Sequence, residues 1–160
     1  MVHCISQTLG TNTLEKTPKL AGNTKHVRIL NLLSKVASDI SYSTPRNAKL
    51  AACIVYQNNI VAFGVNEQKT HPLQAKYGSN KDAIYLHAEI SAIKNALRQI
   101  SVEELEDCSL YVARVKYSNN KKTSRQFGLA RPCPGCESCI NAFGIKKVYH
   151  TTDDGGYIQL

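Results

Sequence analysis

The sequence predicts an α/β sandwich in which helices cover a mixed sheet. Two observations carry this. Residues 50–56 and 60–65 are β-rich apolar runs three residues apart, which reads as a hairpin. Around and after them, stretches with three- and four-residue apolar spacing alternate with short apolar runs. The resulting order is helix, strand, strand, helix, strand, helix, strand. The chain has 160 residues, 42% apolar and 20% charged, which suits one domain with a real core.

Taken in order, residues 1–23 are polar, with Pro18 and Gly22 and no period, and read as an irregular arm. Residues 24–160 form the domain proper. Thr24 can cap a helix over 25–40, because Val27, Leu30, Leu33, Val36, Ala37 and Ile40 make one apolar stripe. A loop with Pro45 follows. The hairpin strands at 50–56 and 60–65 flank the turn Gln57-Asn58-Asn59, and their near-continuous apolarity predicts cover on both faces. Residues 66–83 show no period and read as a long connection, of the kind that is often functional.

A second helix spans 87–100, with Ile90, Ile93, Ala96, Leu97 and Ile100 on one side, and residues 102–105 add a turn. Residues 109–115 form a third strand. Residues 118–128 read as a basic loop with Lys121, Lys122 and Arg125. A short helix over 134–143 is stopped by Gly144, and 146–151 form a fourth strand. The tail has room for one weak element.

There is no apolar run long enough for a bilayer, and no basic lead into an apolar export segment, so the expected location is the cytoplasm, with no membrane partner. Three of the six cysteines, Cys133, Cys136 and Cys139, cluster near the end, which favours metal or free thiols over disulfides in such a chain. The net charge of +8 favours an anionic partner, and phosphates of nucleotides or nucleic acid are the obvious choice.

The chemistry concentrates in two short motifs, Leu86-His87-Ala88-Glu89 and Arg131-Pro132-Cys133-Pro134-Gly135-Cys136. Each lies at an expected helix start. A Cys-x-x-Cys pair at such a start turns both sulfurs to one side, and the positive end of the helix favours thiolates. His87, Cys133 and Cys136 give three ligands. Zinc takes four, so one position is left for water, as in catalytic rather than structural sites. Glu89 is not needed as a ligand and can move protons. Either motif alone is common; the pair in this order is specific.

In these motifs the chain resembles the cytidine/deoxycytidylate deaminase superfamily over about residues 25–151. The resemblance also includes the hairpin before the motifs and the Gly144-Ile145-Lys146-Lys147-Val148-Tyr149 stretch. It implies a three-layer α/β/α sandwich with a mixed sheet of about five strands. It implies Zn2+ held by His87, Cys133 and Cys136, with Glu89 as the proton shuttle. It further implies that Asn66 bonds the substrate sugar, that main chain at Ala88 and Cys133 holds the pyrimidine ring, and that the protein forms homo-oligomers. Arg46 and Asn47, before the first hairpin strand, are candidates for phosphate or sugar contacts. His71 fits stacking on a base, metal binding or neither, and Tyr85 fits a ring platform or the core. Cys139 is a spare thiol, expected in the core.

The sequence departs from every subgroup. Gly64-Val65-Asn66-Glu67 replaces the Gly-Tyr-Asn-Gly frequent in deoxycytidylate enzymes. The connection offers only His71 toward a second zinc. Ala83-Ile84-Tyr85-Leu86 and Pro134-Gly135 differ from the tRNA adenosine enzymes, and a histidine first ligand differs from most nucleoside enzymes. The expected activity is hydrolytic deamination of a cytosine nucleotide, with deoxycytidylate as the best candidate. The alternatives are deamination of a base in nucleic acid, and a nucleic-acid-binding module with structural zinc.

Overall fold

A computed structural model describes residues 17–40, 49–78 and 85–160. The candidates Arg46 and Asn47 lie outside them. The hairpin forms as the sequence implies, with β1 (Lys49–Tyr56) antiparallel to β2 (Asn59–Val65). Its turn uses two residues rather than three: Gln57 and Asn58 take positive φ of 48° and 65°, the geometry whose twist matches a hairpin. β1 also pairs antiparallel with β5 (Ser109–Tyr117), and β5 runs parallel to β7 (Lys147–Thr151). The main sheet has six strands in the order β2-β1-β5-β7-β8, with β6 (Arg125–Gly128) paired to β5 and β8 (Tyr157–Gln159) to β7.

Helices cover both faces, giving the three layers. Strand alternation sorts β1 and β5 cleanly. Ala51, Cys53, Val55, Tyr111, Ala113 and Val115 face α1 (Lys25–Ser38), whose Leu30 and Leu33 are fully buried. Each such leucine contributes about 1.5–3 kcal/mol. Ala52, Ile54, Leu110 and Val112 face α3 (Ala88–Ala96) and α4 (Pro134–Ala142) on the other side.

The start of α1 and the end of α4 follow from capping. Thr24 Oγ1 accepts from Val27 N–H at 3.3 Å. Gly144, at φ 76°, ends α4, with Ile145 N–H bonded to the Ile140 carbonyl and Gly144 N–H to that of Asn141. The described part of the N-terminal arm has no regular structure but is docked on α1: Leu20 exchanges hydrogen bonds with the Asn31 amide, and Ser34 donates to the Pro18 carbonyl.

Four sequence expectations are corrected. The connection 66–83 is not structureless: β3 (Glu67–Thr70) pairs with β4 (Tyr85–Leu86), and α2 (Pro72–Tyr77) lies between them. Its short elements fall below the length at which periodicity registers. α3 ends at Ala96, not residue 100, because the chain turns at Leu97 so that Leu97 and Ile100 can still reach the core. The expected loop 118–128 ends as β6, since Arg125–Gly128 continues the pairing of an extended β5. The second hairpin strand is an edge, and Phe63 is 40% exposed beyond the cover of α1. Among the described residues no helix is long and apolar enough to cross a membrane.

Candidate metal centre

α3 and α4 both begin over the same end of the sheet, where each presents one of the two motifs. α3 can lie this close to the sheet because β2 carries Gly64 beneath it: a Cβ there would stand 2.2 Å from Ala92 N and 2.4 Å from the Ala88 carbonyl oxygen. Pro134 occupies the start of α4, where its missing N–H costs nothing.

His87 is the residue before the first turn of α3, and Cys133 the corresponding residue of α4. His87 Nδ1 lies 3.3 Å from Cys136 Sγ and 3.5 Å from Cys133 Sγ. The three ligand atoms all fall within 4.8 Å of one another, and among the described residues they are the one group of His, Cys, Asp and Glu placed this way. A tetrahedral zinc with ordinary Zn–N and Zn–S lengths sets nitrogen and sulfur about 3.6 Å apart. The residues therefore fit the ion without rearrangement.

The electrostatics match the donor set. The Cys133 thiol is pulled down to about 3, first by its hydrogen bond with Cys136, then by that with His87. The Cys136 thiol is pushed up, first by that same bond to Cys133 and then by burial. The Cys136 N–H also points at Cys133 Sγ, at 3.5 Å. His87 is raised by its bond to Cys133.

Glu89 sits in the first turn of α3, 3% exposed. Burial raises its carboxyl above the usual range, while its own N–H, His87 and a hydrogen bond from Cys136 pull the other way. It is a buried acid beside the candidate ligands, the kind of group that serves as a general acid–base.

The remaining sequence candidates lie on several elements. Asn66 follows β2, and its Oδ1 accepts from Leu50 N–H at 2.9 Å. Ala88 is fully buried at the start of α3. Tyr85 is 47% exposed and paired opposite Thr70. His71 caps α2, its Nδ1 accepting from Leu73 N–H at 3.1 Å. Cys139 is fully buried on α4, and burial pushes its thiol up to about 12. Of the basic loop residues, Arg125 donates to the Ser38 carbonyl at 2.9 Å, and Arg125 and Lys122 lie over the Tyr117 ring.

One residue at the centre escaped the sequence altogether. Gln74, 1% exposed on α2, accepts from His87 N–H at 3.0 Å. Its helix could have been found from His71-Pro72, a capping residue followed by proline, but nothing in the pattern marks the glutamine.

Residues 23–152 match the family described as the cytidine and deoxycytidylate deaminase zinc-binding region. The chain belongs to this family. Three solved structures show the range of similarity to this deaminase-family chain. One is the dCMP deaminase from the cyanophage S-TIM5 in apo form, 25% identical over 78% of each chain, with TM-score 0.46. Another is the guanine deaminase from Bacillus subtilis, 20% identical over 82% of this chain and 65% of that one, with TM-score 0.47. The third is RibD from Acinetobacter baumannii, 19% identical over 78% of this chain and 27% of that one, with TM-score 0.44. No curated protein matches the chain in sequence. The family assignment rests on the 23–152 match, which spans both motifs and the sheet behind them.

Proposed function

We propose that the protein is a zinc-dependent hydrolase that removes the exocyclic amine of a cytosine nucleotide, deoxycytidylate first among them. The observation that carries this is the cluster itself: one imidazole and two thiols at zinc spacing, with a buried carboxyl beside them that is not part of the cluster. His87, Cys133 and Cys136 hold the ion, which when bound supplies a hydroxide nucleophile at neutral pH. Glu89 takes one proton from the attacking water and gives it to the ring nitrogen, then takes the second from the new hydroxyl on the carbon and gives it to the amine, so that the carbon–nitrogen bond breaks and ammonia leaves. Asn66 and the main chain at Ala88 are the proposed contacts to sugar and ring. The charge of +8 supports an anionic substrate and draws it in over long range.

The test is an ammonia-release panel over cytidine, deoxycytidine, their mono- and triphosphates, guanine, and single-stranded oligonucleotides. Release from deoxycytidylate above the others is expected. Release only from oligonucleotides would replace the free nucleotide by a strand, and release only from guanine would overturn the pyrimidine assignment.

The ligand assignment makes a prediction of its own. Cys136→Ala should lose zinc, and Cys139→Ala should keep about one zinc per chain, measured by metal analysis of the purified proteins. The reverse pattern would sink the assignment.

Zinc affinity should also depend on pH with a definite sign. Zinc must displace the Cys136 proton, which the site holds tightly, and compete with protonation of His87, which is raised. Binding releases the proton already on Cys136, and protonation of His87 adds a second competitor as pH falls, so affinity should fall by about tenfold or more per unit as pH drops from 8 to 6. Chelator competition at several pH values reads this directly. A flat profile would mean that these groups are not the ligands.

A further inference from the structure

Gln74 is a polar side chain sealed inside the protein, 1% exposed, on a helix of six residues. A buried amide is tolerated where its polar atoms have partners. The partner of its Oε1 is the main-chain N–H of His87, at 3.0 Å. The location of that N–H matters. A residue just before a helix normally fixes itself by accepting a first-turn N–H with its own side chain. His87 makes no such bond, and its ring instead stands beside the two thiols. Its backbone is therefore fastened from outside.

α2 is well placed to do this. It touches both α3 and α4, the two helices that carry the motifs, and its Leu73 and Tyr77 pack on the core beneath them. It bridges the seam between the halves of the site. From this the geometry points to Gln74 as a positioning residue for the metal-site imidazole: its side-chain oxygen holds the His87 main chain so that Nδ1 meets the two sulfurs. This rests on the proposed zinc site. It assigns a role to a segment in which the sequence shows no pattern.

The test uses two substitutions with opposite chemistry. Gln74→Met fills the same space and removes the acceptor. Gln74→Glu keeps the acceptor and introduces a charge. Zinc affinity is read by chelator competition, and ligand geometry by the visible absorption of the cobalt(II)-loaded protein. Gln74→Met should weaken zinc by about tenfold and shift the cobalt bands, the size of effect seen when groups behind a metal ligand are removed. Gln74→Glu should stay closer to wild type in both. A methionine variant that matches wild type, or a glutamate variant as weak as or weaker than the methionine one, would overturn the positioning role and leave only space filling. Wild-type protein that takes up neither ion would overturn this inference together with the zinc site. Tight wild-type binding with an unchanged methionine variant would overturn this inference alone.

Discussion

Replacing Glu89 by glutamine should leave zinc bound and lower turnover by about 10²–10⁴-fold, the usual worth of a positioned general acid–base. The substitution keeps size and hydrogen-bonding shape, so the buried first turn of α3 should hold. What it removes is the ability to take a proton and return it. Burial raises the carboxyl, while its own N–H, His87 and Cys136 pull the other way. Both sides of the result count. Zinc content read by metal analysis should stay near one per chain, and ammonia release should collapse. Normal turnover in this variant would sink the mechanism, and loss of zinc would show Glu89 to be part of the metal site instead.

Gly64→Ala should be the most damaging glycine-to-alanine change among the described residues. The added carbon would sit 2.2 Å from Ala92 N and 2.4 Å from the Ala88 carbonyl oxygen, both backbone atoms of α3 that no rotamer change can move. Relief requires α3 to lift from β2, and α3 follows directly on His87 and holds Glu89 in its first turn. A cost of about 3 kcal/mol is expected, at the upper end for overpacking. For a domain of this size that lowers the melting temperature by roughly 6–12 °C. Zinc affinity should fall with it. Gly156→Ala, where the nearest described side-chain atom is 3.4 Å away, is the control and should melt near wild type. Equal melting temperatures for the two variants would show that α3 is not seated on Gly64.

Much of this was legible in the sequence because the physics is local. The stripe from Val27 to Ala37 has to face a core, and α1 buries it. The hairpin and the alternation along β1 and β5 follow from period-two burial on the two faces. Thr24 and Gly144 mark helix ends because capping involves only neighbouring residues. His87, Glu89, Cys133 and Cys136 were visible for the same reason: each pair shares a turn, and residue type and spacing limit what the pair can do.

What failed was set by contacts between distant segments. Arg125–Gly128 follows a polar, basic stretch, and it is a strand because β5 runs on and offers it a partner. Phe63 reads as core by its neighbours, yet β2 is an edge and α1 does not extend over it.

The sequence by itself determined the layers, the donor types and the class of chemistry, since these depend on periodicity and on side-chain identity at short range. Tertiary structure alone decided that an imidazole and two thiols from separate helices stand 3.3 and 3.5 Å apart. It decided that a bare glycine lets α3 sit low enough for this, and that Gln74 reaches the His87 main chain. Those are distances between segments far apart in the chain. They come from packing the two helices onto one face of the sheet, and no local pattern encodes them.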